Sequence, residues 1–195
     1  MALAARRIGA ESSATRALIV EAAELVMLEE GYAAASTRRV AARAGLKPSL
    51  VHYYFPTTED LLLAVNHKGA AESDRLLEEA LSSPDPLRAL WKMLTNSSQT
   101  ALALETMALA RHRKAIRIEI GRHVEEVRAR QVAALTQLLG ERMGKFGGSP
   151  EALSLVLTGI GRALVMERAL GISAGHTDGA AWVEQLLDAL APTGA

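Results

Sequence analysis

The sequence predicts an all-α protein of about nine helices, and three observations carry that reading. Apolar residues recur at helical spacing along most of the chain. Strand signals are nearly absent, with 4% aromatic residues and no sustained alternation of period two. Helix caps and stops recur between the apolar stretches, with breaks at Ser82-Ser83-Pro84, near His112 to Lys114, at Gly144 to Pro150 and at Gly171 to Gly179.

In chain order, the first helix is expected over Thr15 to Gly31, on apolar Leu18, Ile19, Ala22, Ala23 and Val26, ended by Gly31 and Tyr32 as a glycine-plus-hydrophobe stop. Ser36 or Thr37 can cap a second helix whose apolar positions are Val40, Ala41 and Ala44, with Gly45 and Leu46 as a left-handed stop. The chain turns at once. Pro48 suits a first helical position, because its missing N–H would be unpaired there, and this third helix runs through Tyr54 to a stop near Pro56. Thr57-Thr58-Glu59-Asp60 then offers a capping box opening a helix to about Leu81. Five more helices are expected at about Pro86 to Ser98, Gln99 to His112, Lys114 to Met143, Pro150 to Leu170 and Asp178 to Leu190.

Ser36 to Asp60 is the most informative stretch, because two short helices around a tight turn make a helix-turn-helix reading head for DNA. At about 100° per residue, Val51 and Phe55 share the inward face of the third helix, while Ser49 and Tyr53 point almost opposite, flanked by Leu50 and His52. Hydroxyl and imidazole groups on that face can meet base edges or phosphates, and Leu50 can touch a thymine methyl. From Ser36 to Pro56 the basic residues are Arg38, Arg39, Arg43 and Lys47, with no acidic one, although the whole chain balances 22 Lys+Arg against 22 Asp+Glu. The positive field is therefore local, as nucleic-acid binding requires.

The segment TRALIVEAAELVMLEEGYAAASTRRVAARAGLKPSLVHYYFPTTEDLL resembles the N-terminal domain of the TetR family of bacterial repressors, over about a quarter of the chain. Glu30-Gly31-Tyr32, the cap before Val40 to Gly45, the aromatic run Tyr53-Tyr54-Phe55 and the capped Leu61-Leu62 helix carry the resemblance. It implies that the outward face of Pro48 to Tyr54 enters the major groove and that neighbouring caps hold phosphates. Carried over by position, the DNA-binding residues are Thr37, Lys47, Ser49, Leu50, His52, Tyr53 and Tyr54, and Arg38 and Thr58 are further DNA-binding candidates. The chain departs from the family's usual residues at Lys47, Ser49, His52 and Thr58, the last standing where a phosphate-binding Lys is common. The implied organisation is a flexible arm over 1–14, a reading head over 15–56, and an effector-binding and dimerisation domain over 57–195, with 57–81 as connecting helix. The implied function is a regulator, a repressor, that binds a palindromic operator as a homodimer and is released by a small, largely apolar effector. An effector-independent or protein-switched regulator is the alternative within that class.

Composition agrees. The 195 residues, 49% hydrophobic, suffice for a reading head and one larger core. Without cysteine there are no disulfides, thiolate metal sites or thiol catalysis. No apolar run approaches the roughly 20 residues that span a bilayer, and residues 1 to 14 lack the apolar core of a signal peptide, so a cytoplasmic protein is expected.

The helix Lys114 to Met143 carries Ile116, Ile120, Val124, Val127, Ala134 and Leu138 on one seam, with Gln131 at its centre and His123 beside it. Polar groups on an apolar seam either bond within a core or orient a ligand. The second reading gives a candidate effector pocket of Trp91, Leu94, Ser98, Leu102, Met107, His112, Ile120, His123, Val127, Gln131 and Met166. Glu119 and His123 have the spacing of two metal ligands, but two ligands make no site, so an ion pair is expected and no metal or other cofactor. The run Arg111 to Arg130, with seven Lys/Arg and three Glu interleaved, reads as a solvated face.

Ala152 to Leu170 is apolar nearly all round, and Trp182, Val183, Leu186, Leu187 and Leu190 extend the pattern in the last helix. Gly159 and Gly161 permit close approach by another helix. One buried face would leave much of this surface unexplained, so a two-fold dimer is expected through Leu157, Ile160, Gly161, Leu164, Trp182, Val183, Leu186, Leu187 and Leu190. An all-helical enzyme is the competing class. No nucleophile–base–orienter set, phosphate loop or metal motif supports it, and no catalytic residue is assigned.

Overall fold

The computed structural model describes residues 13–140, 142–145 and 147–191. The arm expected over 1–14 therefore lies almost wholly outside the described residues. Among them there are ten α-helices, one 3₁₀ turn and no strand: α1 Ala14–Glu30, the turn Tyr32–Ala34, α2 Thr37–Ala44, α3 Pro48–Tyr54, α4 Thr58–Leu81, α5 Pro86–Leu94, α6 Ser97–Ala110, α7 Lys114–Leu139, α8 Arg142–Lys145, α9 Pro150–Ala169 and α10 His176–Leu190.

Local chemistry accounts for most boundaries. Ser13, Ser36 and Ser149 cap α1, α2 and α9 by accepting from the backbone N–H three residues on. Thr57 and Asp60 form the full capping box, with Asp60 N–H donating to Thr57 Oγ1 at 3.1 Å and Thr57 N–H donating to Asp60 Oδ2 at 2.9 Å. Gly45 stands at φ 67°, and Leu46 N–H reaches back to Ala41 O at 2.9 Å, the two-bond glycine stop the sequence predicts. Gly31 differs from the expectation. Its φ of 83° is left-handed, but ψ of 158° sends the chain out into the 3₁₀ turn instead of closing the same stop.

Two other expectations change. The helix expected over Pro86 to Ser98 stops at Leu94, because Asn96 accepts from Gln99 N–H and starts α6. The helix expected over Lys114 to Met143 is cut at Leu139 by Gly140 at φ 51°, and the Arg142 side chain turns back onto the carbonyls of Leu138 and Leu139.

Two apolar cores result. The first joins Ile19, Val26 and Met27 of α1, Val40, Val51 and Phe55 of the helix-turn-helix, and Leu61 and Val65 of α4 to Leu102 and Leu109 of α6 and Ile116 of α7. The second joins Leu77, Leu90, Trp91, Leu135, Leu139, Leu157, Leu187 and Leu190. Helix α4 contributes to both over its 24 residues, roughly 36 Å of rigid rod. Each fully buried Leu or Met in these cores contributes about 1.5–3 kcal/mol of transfer free energy.

Candidate nucleic-acid interface and ligand cavity

The reading head presents the face its sequence pattern implies. Val51 and Phe55 are buried, whereas Ser49, His52 and Tyr53 are exposed and Leu50 is half-covered. Lys47 precedes Pro48 at the start of α3, exposed and with no side-chain bond to the helix end. Thr37 and Thr58 occupy the first positions of α2 and α4, where free N–H groups gather and anions are favoured. Tyr54 is only partly accessible. Its hydroxyl accepts from Ser13 Oγ at 3.0 Å, and its ring meets the Tyr53 ring edge-on at 5.2 Å, so it braces the exposed Tyr53.

The charge on this head is smaller than the sequence count suggests. Arg39 forms a two-pronged pair with Glu30, and Arg43 one with Glu29, each with N–O distances down to 2.6 Å. Both carboxylates precede the stretch counted as purely basic. Hydrogen bonding to its carboxylate partner holds each guanidinium above its ordinary value, and Arg43 pulls Glu29 below the ordinary carboxylate range. Among the described residues only Arg38 and Lys47 of the four keep a side chain without a carboxylate partner. Arg16 lies over the Phe55 ring, 4.9 Å from its centre.

A cavity of about 160 Å³ opens between α4, α5, α6, α7 and α9. Leu94, Leu102, Met107, Ile120, His123, Val127 and Gln131 of the expected pocket line it. Trp91, Ser98, His112 and Met166 do not. Trp91 packs into the second core, Ser98 and His112 are exposed near the two ends of α6, and Met166 faces solvent from α9. Residues the seam argument missed also line the cavity, among them Asn66, Gly69, Thr100, Thr106, Thr158, Arg128 and Arg162. They lie on three other helices or off the apolar seam, so no single periodicity could collect them.

Gln131 is bonded within the core and also borders the cavity. Ser154 Oγ, fully buried, donates to Gln131 Oε1 at 2.7 Å, while the amide NH₂ has no protein acceptor among the described residues and Gln131 lines the cavity. Glu119 pairs with Arg122 and His67, not with His123, and among the described residues no three His, Asp or Glu approach closely enough to hold a metal. The hydrogen bond from Arg122 is the main cause of the lowered Glu119 pKa.

Helix α6 touches both sites. Leu102, Ala103, Thr106 and Met107 wall the cavity, and Glu105 on the same helix accepts from Tyr32 N–H at 2.8 Å, at the junction between α1 and α2.

Most residues of the expected dimer surface turn inward. Leu157, Gly161, Leu164, Val183, Leu187 and Leu190 are buried within the chain itself, and Ile160 and Leu186 pack partly against the same core. Of the residues assigned to that surface only Trp182 is strongly exposed, at 55%. The outward apolar stripe instead comprises Leu155, Val156, Met166 and Leu170, beside Ile172 and Trp182. The two glycines separate likewise. A Cβ on Gly161 would stand 2.6 Å from Leu94 O of α5, whereas one on Gly159 would meet nothing within 4 Å.

Residues 19–65 match the family model of bacterial regulatory proteins of the tetR family. No curated protein matches the chain. Among solved structures it is similar to a TetR transcription regulator from Haloarcula marismortui at 20% identity, covering 90% of this chain and 97% of that one with a TM-score of 0.70. A transcriptional regulator of the TerR/AcrR family from Aquifex aeolicus is similar at 17% identity, over 89% and 98% of the two chains, TM-score 0.68. The multidrug binding protein EbrR, solved with imidazole, is similar at 24% identity, over 94% and 98%, TM-score 0.61. Residues 19–65 thus match the tetR-family model, and the chain as a whole shares the fold of these solved structures.

Proposed function

We propose that this protein is a transcriptional repressor that binds a palindromic operator as a homodimer in the cytoplasm and is released when a small molecule occupies the cavity. The observation that carries the switch is the double duty of α6, which walls the cavity with Leu102 and Thr106 and holds the head through Glu105 and Tyr32. A ligand that favours one packing of α6 against α4 and α7 shifts the position of the head by that differential affinity. A coupling of about 1–3 kcal/mol would change operator affinity about 5–150-fold.

Base reading falls to Ser49, Leu50, His52 and Tyr53, and phosphate contact to Lys47, Arg38, Thr37 and Thr58. Tyr54 acts through its support of Tyr53. Dimerisation through the outward stripe of α9 and α10 would place two heads on half-sites about 34–36 Å apart or a multiple of that. So large an exposed apolar surface on a chain of this size supports an interface. The neighbour EbrR, a multidrug binding protein, lends support to ligand binding in this fold.

The test is a footprint of the purified protein on DNA flanking its own coding region, at physiological salt with random competitor DNA. A protected site with two-fold symmetry that is lost on adding a cavity ligand supports the proposal. Protection that no cavity ligand alters, although the ligand binds, would replace it with a constitutive regulator.

A further inference from the structure

The charged side chains around the cavity have one sign. Arg128 of α7 and Arg162 of α9 both line it, and among the described residues no Asp or Glu does. Almost every other arginine that bridges elements in this molecule is matched: Arg39 to Glu30, Arg43 to Glu29, Arg88 to Glu184 and Asp188, Arg130 to Asp74. Among the described residues Arg128 and Arg162 have no carboxylate within ion-pair distance and no hydrogen-bond acceptor. Arg162 is partly buried, and this burial first, then the charge of Arg128, pushes its guanidinium below the ordinary value. Two like charges facing one partly buried space is an unfavourable arrangement until something negative lies between them.

The wall also carries the polar side chains of Asn66, Ser73, Gln99 and His123. The hydroxyls of Thr100, Thr106 and Thr158 already donate to backbone carbonyls. Among the described residues the Gln131 amide NH₂ is a donor without a protein acceptor, and most of the other lining side chains are apolar. A space of about 160 Å³ is close to the roughly 150 Å³ apolar cavity that accepts benzene, so the ligand body is about one ring or a short chain.

Resting on the reading of this cavity as the effector site, we propose that the effector is a small anionic amphiphile: a ring or short alkyl chain carrying a carboxylate that Arg128 and Arg162 clamp together. The guanidiniums supply charge-assisted, fork-shaped donors to the head, and Leu102, Val127 and Ile120 cover the body. Binding relieves the repulsion between the two arginines, which draws α7 and α9 together at the cavity.

The experiment uses the full chain and three probes of one size and different charge: benzoate, benzamide and benzylamine. Affinities are measured calorimetrically, and operator release is measured in parallel by fluorescence anisotropy. Benzoate is expected to bind at least about 10-fold more tightly than benzamide, with benzylamine weakest. Arg162→Gln and Arg128→Gln should each erode the preference for benzoate over benzamide. The probe series on the unaltered protein is decisive by itself should a variant fail to fold. Equal or tighter binding of benzamide overturns the inference, as does a preference that survives in both variants. Benzamide that binds in preference and releases operator would sink the anion clamp and spare the effector reading. Benzoate that binds in preference without releasing operator would do the reverse. No binding by any of the three would remove the anion clamp.

Discussion

A single side chain decides several properties of this molecule. Lys47 and Arg38 are cations of the helix-turn-helix stretch without a carboxylate partner among the described residues, so under the proposed function each would count fully toward phosphate binding. Lys47→Ala is expected to weaken binding to all DNA sequences and to lower the slope of log affinity against log salt by about 1, measured by titration across salt concentrations. Tyr53→Ala should lose discrimination instead, and equal losses on operator and random DNA would argue against the α3 face as reader. Arg39 and Arg43 were counted as part of the same basic patch, yet Glu30 and Glu29 neutralise them. Their partners stand 9 and 14 residues earlier, and a charge count over one stretch does not register a pair formed between two packed helices. The glycines of α9 give a matched test. Gly161→Ala must displace α9 from the Leu94 carbonyl and should cost about 1–3 kcal/mol in urea unfolding, as overpacking does. Gly159→Ala should not destabilise the single chain, since its Cβ has open space and Ala favours helix by up to about 1 kcal/mol.

At the level of elements, short-range signals were the most legible. The capping box of α4, the Pro start and stop of α3, and the serine caps of α2 and α9 all follow from residues adjacent in sequence. Thr57→Ala removes one half of that box and is expected to cost about 0.5–2 kcal/mol of stability, read by thermal or urea denaturation. The same locality explains the misplacements. Gly140 interrupts an apolar seam that continues on either side of it, so periodicity alone carried the expected helix onward to Met143. The role of α6 was not legible at all, because Glu105 meets Tyr32 across 73 residues. Glu105→Ala is expected to leave ligand affinity intact while shrinking the ligand-driven change in operator affinity, and an unchanged response would remove this bond from the switch.

At the scale of the whole molecule, the outward stripe of α9 and α10 is the proposed dimer surface. Leu155→Asp combined with Trp182→Glu should leave a folded monomer by sedimentation analysis and weaken operator binding by about 100-fold or more, since the second half-site is then no longer tethered. A dimer that persists in this variant would place the interface elsewhere. Acid stability also belongs to this scale. Glu29, Glu72 and Glu119 are held below the ordinary carboxylate value of 4.5, first by hydrogen bonds from Arg43, Arg75 and Arg122. A carboxylate with a lowered folded value stabilises above its unfolded value, and that contribution is lost as pH falls through the folded one. Urea midpoints are therefore expected to be flat from neutrality to about pH 5 and to fall below it, by modest amounts because these pairs are solvent-exposed.

What the sequence by itself determined was the helical class, the order of the elements and the outward face of α3. These depend on caps, stops and the 3.6-residue period, which act within a turn or two of one helix. Tertiary structure alone decided which side of α9 turns inward, which arginines are neutralised and which residues share the cavity. A helix that is apolar all round carries no preferred face of its own, so packing against α5, α7 and α10 selects Leu157 and Gly161 for the inside and leaves Leu155 and Met166 outside. Arg128 and Arg162 lie on different helices, and their convergence on one cavity exists only once α7 and α9 are brought together.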